Sequence, residues 1–83
     1  MTPRWMTTKQ VQAYTGLSHS RFYRIRKVAR WSQFPEPAVV SGQTNLWKRA
    51  HLDEWMDRCE AGEIDLSKLG EWVELHEAER DAA

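Results

Sequence analysis

The spacing of polar and apolar residues near the start of the chain predicts a short helix. Thr7 and Gln10 stand at the spacing of a capping box, in which each side chain bonds to the other residue's backbone amide. This pair predicts a helix over 8–15 with Val11 turned inward. Gly16 ends it, because glycine accepts the left-handed conformation that follows many helices.

A second helix is predicted directly after the first. Ser18 can cap its amino end, and we expect it to run over about 19–30. At 100° per residue, Phe22, Ile25 and Ala29 share one face, which should be the buried one. A helix, a glycine turn, a serine cap and another helix in succession are typical of a helix-turn-helix.

A small β-hairpin, or wing, is predicted next. Pro35 and Pro37 forbid a helix and favour an extended segment. Residues 38–40 then have the pattern of a strand, 41–44 of a turn and 45–47 of the returning strand.

Two further helices are predicted after the wing. The first covers 50–60 and ends at Ala61-Gly62. Its predicted buried residues are Leu52, Trp55, Met56 and Cys59, and we place Trp47 of the wing in the core beside them. The second, over 67–80, starts at Asp65 or Ser67 as cap, and its apolar stripe is Ile64, Leu66, Leu69, Trp72, Val73 and His76.

The predicted fold class is therefore mainly α with a small β-hairpin: a winged helix-turn-helix with an acidic amphipathic helix after it. We expect two parts, a winged domain over 1–61 and the acidic helix over 62–83. That helix has three open alternatives. It packs on its own chain and enlarges a small core, it contacts another copy or protein, or it stays partly disordered.

Opposite charges separate the two parts of the chain. Residues 1–51 hold nine basic residues against the single acid Glu36, a formal charge of +8. Residues 52–83 hold eleven acids against three basic residues, a formal charge of −8. A basic half that contains a helix-turn-helix pattern is typical of a nucleic-acid surface.

The composition argues against several other classes of protein. Cys59 is the single cysteine, so no internal disulfide is expected. No apolar run approaches a membrane span and residues 1–6 do not resemble a signal peptide, so we expect a cytoplasmic protein without membrane contact. The histidines and Cys59 lack metal-ligand spacing, and we find no catalytic constellation, so we expect no enzyme, metal or cofactor.

Six short motifs in order resemble a known family. They are Thr7-Thr8-Lys9-Gln10-Val11, Thr15-Gly16-Leu17-Ser18, Phe22-Tyr23-Arg24-Ile25, Phe34-Pro35-Glu36-Pro37, Trp47-Lys48-Arg49 and Asp53-Glu54-Trp55. Together they are similar to the excisionase/AlpA-type winged-helix DNA-binding proteins of phages and mobile elements, relatives of the MerR head domain. The resemblance covers roughly 6–59. The stretch between Ile25 and Phe34 is longer than usual in that family, and the helix after Gly62 matches no family element.

The resemblance implies a second helix in the major groove and a hairpin at the adjacent minor groove or backbone. We expect Ser20 and Arg24, or Arg21 beside it, to read bases and Lys27 to contact phosphate. The full candidate set is Ser18, His19, Ser20, Arg21, Tyr23, Arg24 and Lys27, with Lys9, Gln43, Thr44 and Lys48.

Three functions stay open at this point, and excisionase comes first because the Phe34-Pro35-Glu36-Pro37 segment and the wing resemble those of excisionases. The resemblance implies an excisionase that binds and bends double-stranded DNA beside a tyrosine-type integrase, with possible self-association along the duplex. An AlpA-like transcriptional regulator would use the same surface. A protein-interaction module, such as an antitoxin or anti-repressor, would act through the acidic helix instead.

Overall fold

A computed structural model describes residues 3–42 and 44–82. It confirms the predicted fold class, a mainly helical chain with a small antiparallel sheet. The elements in chain order are β1 (Trp5–Met6), α1 (Thr8–Thr15), α2 (His19–Lys27), α3 (Ala29–Ser32), β2 (Val39–Ser41), β3 (Thr44–Lys48), α4 (Arg49–Glu60), a 3₁₀ turn (Leu66–Lys68) and α5 (Leu69–Ala82).

The end signals of the helix-turn-helix act as predicted. The Thr7 backbone amide donates to Gln10 Oε1 over 2.9 Å, and the Gln10 amide donates to Thr7 Oγ1 over 3.3 Å. Gly16 takes the left-handed conformation, with a φ of 75°. The Ser18 hydroxyl oxygen accepts from the Arg21 amide over 3.2 Å. The chain therefore turns between α1 and α2 at the position that the sequence predicts.

The single helix predicted over 19–30 is wrong, because it is broken at Val28. That residue has φ −107° and ψ 34°, and its side chain is fully buried. The break turns Val28 into the core, whereas Ala29, predicted to be buried, is only half-buried. Ser32 stabilises the break, since its buried hydroxyl donates to the Ile25 carbonyl over 2.7 Å.

The sheet has one strand more than the predicted hairpin. Its strand order is β1-β3-β2, and both pairings are antiparallel. Met6 of β1 pairs with Trp47, and Val39 of β2 pairs with Leu46. The wing is therefore held at its base by the segment that precedes α1.

One hydrophobic cluster joins all parts of the chain. Phe22, Phe34 and Trp55 form a series of edge-to-face ring contacts, with centroids 5.6 Å and 4.9 Å apart. Trp47 is fully buried, and its indole nitrogen donates to the Pro35 carbonyl over 3.1 Å. The core positions predicted for Trp47 and Trp55 are confirmed. Met56 and Cys59, predicted to be buried, are only partly so, and partial burial raises the pKa of the Cys59 thiol.

The acidic helix folds back on its own chain, the first of the three alternatives. Ile64, Leu69 and Trp72 belong to the same buried cluster as the winged part, and α5 contacts α2. On the surface, Arg30 Nη1 donates to both carboxylate oxygens of Glu79 over 2.9 Å. The apolar stripe of α5 therefore packs against the rest of the same chain.

Asp65 starts the turn that leads into α5. Its carboxylate accepts from the Ser67 hydroxyl over 2.6 Å and from the Ser67 amide over 3.0 Å. These hydrogen bonds, the hydroxyl one first, lower the pKa of Asp65. Of the two caps that the sequence left open, Asp65 is the one with capping hydrogen bonds, and it caps the 3₁₀ turn that precedes α5.

Candidate nucleic-acid interface

The solvent side of α2 is basic and free of acids. Ser20, Arg21, Tyr23 and Arg24 are exposed, and Lys27 is half-buried. The side chain of Tyr23 is unusually open for an aromatic residue, at 64% of its full exposure. Helix α2 therefore presents hydroxyl, phenol, guanidinium and ammonium donors on one continuous surface.

These cations are not used for internal ion pairs. Within the described residues, the ion pairs are Arg30 with Glu79 and Arg58 with Glu63. Neither pair involves the predicted contact residues Arg21, Arg24 or Lys27. Their charge is therefore available to an anionic partner in solution.

The exposed surface of α2 has two flanks. At 100° per residue, Ser20 and Lys27 lie near the middle, opposite the buried Phe22 and Ile25. Arg24 and Arg21 turn toward one side of that midline. Tyr23 and Arg26 turn toward the other side, and Arg26 is a residue that the sequence-based set omitted.

Arg26 connects α2 to the wing. The central carbon of its guanidinium lies 4.9 Å from the centre of the Trp47 ring and 5.9 Å from that of Phe22. Cation–π contacts of this kind hold a guanidinium over an aromatic face. The contact with Trp47 depends on the tertiary fold, because Trp47 lies on β3.

The amino end of α2 also contacts α1. His19 is exposed, and its Nδ1 lies 3.4 Å from Gln12 Nε2. Lys9 is exposed in the first turn of α1. The predicted contacts Ser18, His19 and Lys9 thus all lie on exposed parts of the helix-turn-helix.

A hydrogen bond ties the helix-turn-helix to α4. The Tyr14 hydroxyl donates to Asp53 Oδ1 over 2.5 Å. This hydrogen bond raises the pKa of Tyr14, since the bond needs the protonated phenol. It thereby gives one of the acids on α4 a structural role.

The predicted wing contacts lie at opposite ends of one strand. Thr44 begins β3 and is exposed, whereas Lys48 ends β3 and is half-buried. Gln43 lies outside the described residues. The structure therefore does not bring Thr44 and Lys48 together, and their assignment to DNA stays a prediction.

The described residues contain neither a cluster of metal ligands nor a helix that could span a membrane. Over 3–42 and 44–82, no group of three or more histidine, cysteine, aspartate or glutamate residues is placed to hold a metal ion. Across the same part of the chain, the helices are too short or too polar to span a bilayer.

The helix-turn-helix, the wing and the acid-free surface of α2 together define a protein of the winged helix-turn-helix class. The family model described as prophage CP4-57 regulatory protein (AlpA) matches residues 4–60. The chain therefore belongs to the AlpA family of phage regulatory DNA-binding proteins. Comparisons with curated proteins and with solved structures gave no match. The family match ends with α4, so α5 lies outside it.

Proposed function

We propose that this chain is a sequence-specific double-stranded DNA-binding protein that reads the major groove with α2. The observation that supports this most is the surface of α2, which carries Arg21, Arg24 and Lys27 without an internal ion pair among the described residues. An uncompensated basic helix in a helix-turn-helix is the arrangement by which this class enters the major groove.

Within this proposal, Ser20 and Arg24 contact base edges. Ser20 is short and lies in the first turn of α2, which lets the backbone approach the bases closely. Arg24 follows one turn later on the same side and can donate two bonds to O6 and N7 of guanine, a contact worth about 1–3 kcal/mol of discrimination. Arg21 lies beside Arg24 and serves as a second donor to a base or phosphate.

The remaining predicted residues position the protein on the duplex. Ser18 and His19 lie at the amino end of α2, and Lys9 lies in the first turn of α1. Phosphate contacts at these positions fix orientation without reading sequence. Thr44 at the wing contacts the adjacent minor groove or sugar. Acidic α5 is expected to face away from the duplex.

Two biological roles fit one DNA-binding surface. The family's description as a regulatory protein favours control of transcription from a phage or prophage promoter. The Phe34-Pro35-Glu36-Pro37 segment before the hairpin resembles excisionases, and it favours binding and bending of attachment-site DNA beside a tyrosine-type integrase. In either role the protein acts on DNA in the bacterial cytoplasm, and we propose that copies associate along the duplex.

Arg24→Ala tests sequence-specific binding. Fluorescence anisotropy with labelled duplexes from the DNA beside its own gene would compare a selected site with a scrambled duplex. We expect the variant to lose about 5- to 150-fold affinity for the selected site, which is 1–3 kcal/mol, and much less for the scrambled one.

Arg80→Ala is the matched control, because it removes the same charge from α5, outside the family match. It should leave the preference for the selected site unchanged. Equal weakening of both duplexes by Arg24→Ala would make Arg24 a phosphate contact. A wild-type protein that binds neither duplex would refute the proposal and favour the protein-interaction alternative.

The two roles are separated by a second experiment. An excisionase bends its site, so that gel mobility depends on where the site lies in the probe, and it increases excision when the integrase is supplied. A regulator changes the output of a promoter reporter without an integrase. Substituting Arg24 should abolish whichever activity the wild-type protein has.

A further inference from the structure

A shallow groove lies on the flank of α2 that faces the wing. It is lined by Tyr23, Arg26 and Lys27 and has a volume of about 240 Å³. The spacing of three and four residues places these side chains next to one another on the helix surface. The three lining residues carry a phenol hydroxyl, a guanidinium and an ammonium, and all three groups can donate to an anion.

Arg26 is oriented before any ligand arrives. Its guanidinium lies over Trp47, which is itself fully buried and fixed by a hydrogen bond to Pro35. Among the described residues, no ion pair involves Arg26. A guanidinium held by an aromatic ring loses less side-chain entropy on binding, and its planar donors match the oxygens of a phosphate.

An adjoining groove on the other side of Arg26 is less suited to an anion. It has a volume of about 200 Å³ and is lined by Ala29 and residues 34–37 in addition to Arg26. Those residues include Glu36, the single acid of residues 1–51. Its negative charge opposes a phosphate at that position, so the groove of Tyr23, Arg26 and Lys27 is the better anion site.

The position of the groove, between α2 and the wing, points to a DNA phosphate as the anion. In B-DNA, one phosphodiester strand separates the major groove from the minor groove beside it. If α2 lies in the major groove and the wing in that minor groove, this strand passes between α2 and β3. Arg26 is located there, since it is anchored on α2 and contacts Trp47 of β3.

We propose that Tyr23, Arg26 and Lys27 bind the phosphodiester strand that runs between the two grooves, with Arg26 as the oriented donor. This inference rests on the proposed function and assigns Arg26, which the sequence-based set left out. The contact is made to the backbone, so it raises affinity for all duplexes equally and fixes the register of α2 and the wing.

The first test measures salt dependence with the full chain. We compare wild type, Arg26→Gln, Arg26→Lys and Arg80→Gln on selected and scrambled duplexes, using the same anisotropy assay. Losing one phosphate contact should lower the slope of log affinity against log salt by about 0.9. Raising the salt from about 50 to 200 mM weakens both proteins, and the fold-loss of affinity for Arg26→Gln should be about three times smaller than that for wild type. Arg26→Lys keeps the charge and should keep the slope, as should Arg80→Gln.

The second test locates the phosphate. Duplexes that each carry one neutral methylphosphonate would be titrated with wild type, Arg26→Gln and Lys27→Gln. We expect one linkage between the two grooves at which neutralisation weakens wild type several-fold but weakens each variant less, because each variant has already lost one of the contacts to that phosphate. Circular dichroism would check folding. If Arg26→Gln is unfolded, titrations of Lys27→Gln and Arg26→Lys with the same duplexes show whether the phosphate contact exists.

The results separate this inference from the proposed function. An unchanged salt slope for Arg26→Gln, or losses that add at every linkage, would overturn the phosphate contact and leave Arg26 as a cover for Trp47. If wild type still prefers its selected site and Arg24→Ala reduces that preference, the proposed function survives. If wild type binds no duplex, both fail together.

Discussion

Replacing Trp72 with alanine tests whether α5 is part of the folded core. Trp72 keeps only 9% of its full exposure and belongs to the cluster that contains Trp47 and Trp55. Truncating a buried tryptophan to alanine costs about 3–5 kcal/mol, and because Trp72 lies at the edge of the cluster we expect about 3 kcal/mol. For a domain of this size, that loss lowers the Tm by roughly 12–24 °C.

The free energy of unfolding would be measured by urea titration, followed by far-ultraviolet circular dichroism and by tryptophan fluorescence. We expect both signals to give one coincident transition, because a single cluster joins α5 to the winged part. Leu75→Ala is the matched control on the same helix. Leu75 is 45% exposed, so its truncation should change the free energy of unfolding far less.

A small cost of Trp72→Ala, or a separate transition, would contradict the claim that α5 is part of the folded core. If Trp72→Ala costs less than about 0.5 kcal/mol, the value usual for surface positions, α5 contributes little to the core. A separate, early transition in the helical signal would mean that residues 62–83 unfold alone. The division after Ala61 would then describe two independent units.

Two further predictions concern single hydrogen bonds. Ser32→Ala leaves the carbonyl of Ile25 without its buried donor, so we expect the free energy of unfolding to fall by about 1–3 kcal/mol, measured by urea titration; a cost near zero would mean that the break after α2 does not need this bond. Tyr14→Phe removes the bond to Asp53, and because this bond raises the pKa of Tyr14, its contribution to stability is complete below the ordinary value of 10.0 and is lost as pH rises through the raised pKa. The difference in unfolding free energy between wild type and Tyr14→Phe should therefore shrink in alkaline solution, and a constant difference would contradict the assignment.

Local chemistry explains why the helix ends could be predicted from the sequence. The capping box at Thr7, the left-handed Gly16 and the cap at Ser18 each depend on residues within a few positions of one another. Nothing distant has to be known for such signals to act. The predicted start and end of α1 and the predicted start of α2 are therefore confirmed.

Features that depend on distant residues could not be predicted in this way. Val28 leaves the helix because it enters a core that includes Trp47 and Trp55, and Ser32 then bonds back to the end of α2. Strand β1 has only two residues, and its partner lies more than forty positions away. Periodicity carries no information about either contact.

In the candidate site, too, some features could be predicted from the sequence and others depend on distant residues. The basic, acid-free surface of α2 is readable from the sequence, because helical spacing alone places Ser20, Arg24 and Lys27 on the exposed side. Arg26 was missed, since its position over Trp47 exists only after the wing has packed against α2. The fate of α5 was also open, because an apolar stripe does not specify which surface covers it.

Strand β3 is supported unequally along its length. Its last two residues pair with β1, and Trp47 anchors that end in the interior. Its first residues pair only with β2, and the turn at Gly42 has open space around it. Side chains at the outer end of the hairpin can therefore change with little effect on the rest of the molecule, except at Gly42, whose φ of 58° favours glycine. If the wing contacts DNA as proposed, its outer end can change what it contacts without loss of the scaffold that supports it.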